Sequence, residues 1–545
     1  MRLRVFRLSG KTIVWAIFLI MFLALLCNLG GWGVLETSEA RYAEISRNML
    51  VTCDWLHPRL LGILHYHKPP VTYLISAGGM ALFGVNSFGV RFFLQISLLL
   101  QGLLVYLLAK ELFRNREIAV TALLVYFTMP VVLISARNLT TDSYLANFEL
   151  LAIWAWVKHK STARHGWVYL FYSLLGLAFL TKGPVGLVFP VLVVISYAFH
   201  KTETGSKTNV KHLLAGFALF LVLGGSWFVY LMLQDRQFVD YFFIRHIVDR
   251  YAHAEAFSRE KPWWFYIVLA PLLSLPWSVI LLSNYKWLSD LQRRFKWLFM
   301  LWLVVPLLFF SFSSSKLILY ILPLFAGLAL LVAWLLYRLP ERSLHKVSKW
   351  AMGYYIFLAV ALIAGPLLQP GLQVYSWSLS LPVLMVLCLF LIWRSNYTAV
   401  PKLLLGSFIF TVLLLPFVSY LLQANPALTN SAVALRQVLQ QKELHGRRIV
   451  VYDRLLPSLA FELGCNFVTI QDHNRNLDRE TQFEKDTTWK QYYLKLNQPE
   501  DSIRIVQLIQ QPVVLLVKNE LPAERQWLVK RLHQKRRVGA WLIYF

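Results

Sequence analysis

Residues 297–337 read WLFMLWLVVPLLFFSFSSSKLILYILPLFAGLALLVAWLLY, and across that whole stretch a single side chain, Lys316, carries a charge. A helix rises about 1.5 Å per residue and the hydrocarbon core of a bilayer is roughly 30 Å thick, so about 20 apolar residues cross it. The stretch is therefore two spans, 297–315 and 317–337, with the lysine between them. The same pattern recurs at 13–35, 118–136, 213–234 and 403–422. Residues 350–393 hold no Asp, Glu, Lys or Arg, and the break QPGLQ at 369–373 divides them into two more spans. Less uniform segments at 87–109, 139–157, 167–181, 185–199 and 264–284 bring the expected number to thirteen. With 57% of its 545 residues hydrophobic, the chain reads as a polytopic α-helical membrane protein. The first span is too long for a removable signal peptide and lacks its small-residue cleavage site.

A net charge of +26 can point to nucleic acid, but its distribution here points to a membrane. The N-terminus and alternate loops (1–12, 110–117, 158–166, 200–212, 285–296, 338–349, 394–402) hold 23 Lys+Arg against 5 Asp+Glu. The intervening loops and span ends before residue 423 hold 13 against 11. Basic loops stay cytoplasmic, so the N-terminus lies inside, and thirteen spans carry the C-terminus outside.

Past about residue 423 the composition changes. Short β-rich runs, RIVVYD (448–453), FVTI (467–470) and PVVLLV (512–517), alternate with polar, helix-compatible segments. They predict a soluble α/β domain over 423–545, outside a membrane domain over 1–422 whose long outer loops are 36–86 and 235–263. No glycine-rich nucleotide loop appears in it, and the inverted repeat of a secondary transporter is not apparent. Cys53 and Cys465 would both face outside, with nothing in the sequence to bring them together.

The chemistry-bearing residues gather on the outer side. SEARYAEISRNML (38–50) has helical spacing and Ser38 as N-cap, which predicts an amphipathic helix on the membrane surface with a solvated face of charge pairs. It brings Glu39, Arg41 and Tyr42, with Glu36 just before them, to the top of a span. In HYHKPP (65–70) consecutive prolines stop any helix, so Lys68 is held where a lipid phosphate would sit. His65 and His67 are candidate metal ligands or hydrogen-bond donors. RNLTTDSYLANFELL (137–151) sets Asp142 at the outer mouth of a span and Glu149 two turns deeper on the same face. An acid inside a span marks either function or a buried cationic partner. Lys182 in LTKGPVG, Lys316, and Arg245, His246 and Arg250 in FIRHIVDRYAH add cations at outer ends. One lysine at a span end is ordinarily an anchor; several cations on the less basic side call for an anionic group such as a phosphate.

Taken in order, ETSEARYAEISRNML (36–50), DWLHPRLLGILHYHKPPVTYLI (54–75), LTKGPVGLVFP (180–190) and FFSFSSSKLILYILPLF (309–325) resemble the GT-C glycosyltransferases that use polyprenyl-phosphate sugars. The likeness is to the bacterial lipid A aminoarabinose transferases and, more distantly, to the protein O-mannosyltransferases. It runs from about residue 13 to 425. It implies a GT-C fold of about thirteen transmembrane helices, a periplasmic C-terminal domain and residence in the bacterial inner membrane. It also implies a glycosyltransferase that moves a sugar from undecaprenyl phosphate to a lipid such as lipid A, or to a protein hydroxyl. Its partners are then the lipid-linked donor, the acceptor and membrane lipids, with no nucleic acid.

Position by position, the resemblance gives Lys68, Arg41, Tyr42, Lys182, Arg250 and Lys316 to the donor phosphate and its cavity, and Asp142 to the acceptor side. Two positions depart from the family pattern: Ser38 stands where Asp usually precedes the Glu, and His67 where Glu usually precedes the lysine. The first leaves Glu39 to take over the acid's part, with Asp142 orienting the acceptor; alternatively Glu36 does so, or no strong base is needed because the nucleophile is an anionic phosphate oxygen. The second bears on a divalent cation, which His67 and His246 could hold; imidazoles suit Zn²⁺ better than Mg²⁺. The competing class is a lipid or polysaccharide transporter, which would also gather cations around a phosphate.

Overall fold

The computed structural model describes residues 10–36, 38–199, 209–235, 237–241, 261–313, 315–369 and 371–545. The chain divides into two compact units, Met1–Cys27 with Leu94–Val418, and Asn28–Phe93 with Ser419–Phe545.

The first unit is helical. Eight described helices are long and apolar enough to cross a membrane, or up to ten if each of two bent pairs is one span. Several expected spans differ from that expectation for local reasons. Helix α1 (Gly10–Leu26) ends nine residues before the expected 35, because Asn28 takes a left-handed turn (φ 53°) into a glycine-rich stretch. The span at 118–136 is two helices, Arg116–Phe127 and Pro130–Arg137, bent by 57°, since Pro130 lacks the N–H to continue the first. The span at 264–284 is likewise Phe265–Leu273 and Trp277–Ser283, bent by 107° ahead of Pro276. The break expected at 369–373 is present between Glu341–Leu368 and Ser380–Arg394.

Helix α2 (Thr141–Thr162) packs along α3 (Gly166–Lys182), with the Trp156 and Phe171 rings 5.1 Å apart. Helix α3 stops at Gly183 (φ +73°), a conformation few other residues adopt without strain. The chain then folds back closely: a Cβ on Gly186 would lie 2.9 Å from the Ala178 carbonyl oxygen. Buried polar groups in this unit find one another, as an apolar surround demands. Gln101 donates to the Ser143 carbonyl (2.8 Å), Tyr126 donates to Gln101 (2.6 Å) and Asn147 donates to Ser97 (2.6 Å).

The second unit is built on a six-stranded sheet. Its strands are β1 (Arg448–Tyr452), β2 (Val468–Gln471), β3 (Tyr493–Lys495), β4 (Val513–Lys518), β5 (Lys535–Val538) and β6 (Trp541–Tyr544). The order is β3-β2-β1-β4-β6-β5, with the first four parallel and β6 antiparallel to both β4 and β5. Strands buried on both faces read as continuous apolar runs, which is why RIVVY and VVLLV stand out in the sequence.

The helix expected from Ser38 is present as Ser38–Thr52 and belongs to this unit. Ile45 and Met49 join Leu435, Leu459, Val514 and Ile543 in one apolar core. Its charge pair is not solvated as expected: Glu44 and Arg47 are both buried and make two hydrogen bonds of 2.7 Å. Packing against the sheet domain, rather than exposure of a polar face, determines which side of this helix is covered.

Candidate functional site

Two groups of polar side chains stand out, one in each unit.

In the helical unit, Asp142 occupies the first turn of α2 and Lys182 the last turn of α3, so the packing of those helices brings their ends together. The Lys182 ammonium donates to the Asp142 carboxylate; both residues are buried. The same ammonium lies 3.7 Å from the centre of the Tyr320 ring, where it gains from the ring's negative face. Glu149 is buried below Asp142 on the same helix. Lys316, also buried, donates to the Lys261 carbonyl (2.8 Å), and the next residue is clamped by Tyr266, whose hydroxyl donates to the Leu317 carbonyl (2.7 Å). Lys261, Trp263, Ser311, Phe312, Ser313 and Lys316 line an open cavity of about 450 Å³.

In the sheet-bearing unit, Glu39 is fully buried and held by Arg91. Arg91 Nε and Nη2 reach the two carboxylate oxygens at 2.8 Å each, and the Leu35 N–H donates at 2.7 Å. The remaining guanidinium protons go to the carbonyls of Leu29, Trp32 and Gly33 at 3.2, 3.0 and 2.9 Å. All five donors of Arg91 thus have acceptors, and its plane lies 4.4 Å over the Trp32 ring. Such a carboxylate is a structural anchor more than a base awaiting a proton. Glu36 accepts from the Ser458 N–H at 3.1 Å, and burial outweighs that bond to push its carboxyl up to about 7.

The corner HYHKPP is formed as expected: the prolines precede the helix Val71–Phe83, and His65 N–H closes the turn on the Pro58 carbonyl at 2.8 Å. Lys68 is half-buried there, and the Tyr42 and Tyr73 rings lie 5.7 Å apart. Around the histidines stands a residue the sequence did not single out, Glu480. Its Oε2 is 3.4 Å from His65 Nδ1 and 3.9 Å from His67 Nε2, while its Oε1 is 3.5 Å from both Arg41 and Arg479. Burial alone would raise the Glu480 carboxyl, but His65, Arg41 and His67 together hold it well below the usual carboxylate range. Burial lowers both imidazoles against the pull of Glu480, His67 further than His65.

Of the residues selected from sequence, the structure joins Asp142 with Lys182, and Arg41 with His67 through Glu480. His246 and Arg250, with Arg245, lie outside the described residues. Arg91, Tyr320, Arg479 and Glu480 were missed. Arg91 carried a signal, a lone cation in the apolar run VRFFLQISLLL. Glu480 carried none, as one acid among many in a polar segment.

The family model described as dolichyl-phosphate-mannose-protein mannosyltransferase matches residues 67–243. An undecaprenyl phosphate-alpha-4-amino-4-deoxy-L-arabinose arabinosyl transferase of Pseudomonas fluorescens is 30% identical over 68% of this chain and 66% of its own length. The like-named transferase of Pseudomonas aeruginosa is 33% identical over 58% of each. The chain thus matches between 58% and 66% of these relatives' length, less than two thirds. The crystal structure of ArnT from Cupriavidus metallidurans bound to undecaprenyl phosphate superposes with a TM-score of 0.79 over 98% of both chains, at 22% identity. The resemblance read from the motifs is borne out in sequence and fold: this is a multi-pass membrane protein with the GT-C architecture of the aminoarabinose transferases.

Proposed function

We propose that this protein transfers a sugar, 4-amino-4-deoxy-L-arabinose or a close analogue, from an undecaprenyl-phosphate donor to a lipid acceptor of the lipid A kind. The reaction is a displacement at the anomeric carbon. An acceptor oxygen forms the new bond, the bond to the donor phosphate breaks, and polyprenyl phosphate leaves with the electron pair. Lys68, Arg41 and Tyr42 are assigned to the donor phosphate, whose charge grows as it departs and is stabilised by fixed cations. Asp142, oriented by Lys182, is assigned to the acceptor, and Lys316 to an anionic group of either lipid. Arg250 keeps its place in the donor-phosphate set by resemblance alone.

The observation that carries the choice of acceptor is the state of the carboxylates. A hydroxyl nucleophile requires a base to take its proton, whereas a phosphate oxygen is already anionic at neutral pH. Glu39 is committed to Arg91, and Asp142 is paired with Lys182. Neither is poised to strip a hydroxyl, which favours a lipid phosphate over a protein Ser or Thr. In this reading Glu39 gives up the catalytic part first assigned to it and fixes the first turn of the helix Ser38–Thr52, which carries Arg41 and Tyr42.

The same reading places the protein in a bacterial inner membrane with the N-terminus cytoplasmic and 423–545 periplasmic. The test is mass spectrometry of purified protein in detergent with the lipid-linked sugar, offering lipid A and a Ser/Thr-rich peptide in competition. Addition of the sugar to the lipid supports the proposal. Addition to the peptide alone, or no turnover of donor, overturns it.

A further inference from the structure

We propose that His65, His67 and Glu480 form a three-ligand site for one divalent transition-metal ion, with Zn²⁺ preferred. The site rests on the sheet-bearing unit alone, and metal binding there can be measured without the transfer reaction. It differs from the pairing of His67 with His246 suggested by resemblance, because its carboxylate comes from the 423–545 segment.

The donor atoms His65 Nδ1, His67 Nε2 and a Glu480 oxygen all lie within 4.8 Å of one another. Four-coordinate zinc has bonds of about 2.0–2.1 Å, which puts neighbouring ligand atoms roughly 3.3 Å apart. The Glu480 Oε2 distances, 3.4 Å to His65 and 3.9 Å to His67, are close to that edge length. They are longer than the roughly 2.7–2.9 Å of a charge-assisted hydrogen bond, so the carboxylate is not drawn fully onto either imidazole.

Their positions are fixed before any ion arrives. The two imidazoles meet edge to face at 4.5 Å, and His67 packs against Phe483 at 5.4 Å. The His65 backbone is tied to Pro58. Arg41 and Arg479 hold the other oxygen of Glu480, which turns Oε2 toward the imidazoles, as outer groups orient metal ligands elsewhere. Two imidazoles and one carboxylate suit zinc and leave a fourth position for water or an anionic oxygen; magnesium would want oxygen ligands throughout. The two guanidinium charges oppose a dication, so binding weaker than at a closed structural zinc site follows.

The test uses the full chain in detergent, stripped with chelator and titrated with Zn²⁺ alone. Elemental analysis should find one zinc per chain, and Co²⁺ in its place should give the intense visible bands of a four-coordinate ion. His65→Ala, His67→Ala and Glu480→Gln should each weaken zinc binding at least tenfold, while His473→Ala, an exposed imidazole of the same unit, should leave it unchanged. The wild-type cobalt spectrum needs no variant, so a variant that fails to fold does not remove the test. A pale six-coordinate cobalt spectrum, or zinc retained at wild-type affinity in folded His67→Ala and Glu480→Gln, overturns the site. A chain that transfers sugar yet binds no zinc refutes this site and spares the transfer reading; zinc binding without transfer does the reverse.

Discussion

Replacing Arg91 by Met tests whether Glu39 is an anchor or a base. The substitution removes a guanidinium whose five donors are all used, two of them on Glu39 at 2.8 Å and three on backbone carbonyls. It leaves a buried carboxylate without its counter-charge, a loss typically worth about 3–5 kcal/mol. For a unit of this size roughly 2–4 °C accompanies each kcal/mol, so melting should fall by about 10 °C. Adding Glu39→Met to Arg91→Met removes the stranded charge and should recover part of the loss, the orphaned carbonyls keeping the rest. The thermal midpoint of detergent-purified protein, followed by tryptophan fluorescence, reads all of this. Sugar transfer measured below the midpoint reads the other half. Glu39→Gln should lower the midpoint and leave turnover of the folded fraction within about threefold, whereas loss of a general base typically costs about 10²–10⁴. A Glu39→Gln protein that melts like wild type and has lost activity a hundredfold or more would refute the anchor.

Further outcomes follow from the same geometry. On the proposed assignment of Lys68 to the donor phosphate, Lys68→Gln loses a charged contact worth about 1.5–3 kcal/mol, so kcat/KM for the lipid-linked sugar should fall roughly 10- to 100-fold in the folded protein. Lys182→Met leaves Asp142 buried without its cation and should reduce both stability and transfer; Asp142→Asn with Lys182→Met should restore stability in part but not transfer. Burial favours the neutral form of Glu36 in the folded chain, so stability declines as pH rises from about 4.5 through about 7, by about 3 kcal/mol at most and less where solvent reaches it. Glu36→Gln should therefore melt above wild type at pH 8 and level with it at pH 5, while an equal gap at both values would contradict the assignment. Reporter fusions should place residue 545 outside and residues 338–349 inside; the reverse would overturn the charge-based orientation.

Much of the fold was legible because it is local. The apolar runs at 317–337 and 213–234 appear as helices Leu322–Arg338 and Val210–Gln234, and PVVLLV as β4. Strands β3, β5 and β6 were not foreseen: YLK and KRRV are short and carry no uninterrupted apolar run, while WLIY does carry one and was overlooked. The bends at Pro130 and near Pro276 carried a visible signal in the prolines, which hydropathy alone overrides. Of the polar groups, Asp142 and Lys182 could be selected singly, since a charge in an apolar run is conspicuous. Their pairing was not readable, nor was that of His65 and His67 with Glu480, because side chains about 40 and more than 400 residues apart meet only once the chain has folded.

The central claim is most directly tested by one assay: purified wild-type protein and its Asp142→Asn variant, each given undecaprenyl-phosphate-linked aminoarabinose and lipid A in detergent, with products weighed by mass spectrometry. The account predicts lipid A heavier by one aminoarabinose residue and polyprenyl phosphate released in equal amount, both falling at least a hundredfold in the variant. Donor left intact by the wild type, or full transfer by the Asp142→Asn protein, would contradict it.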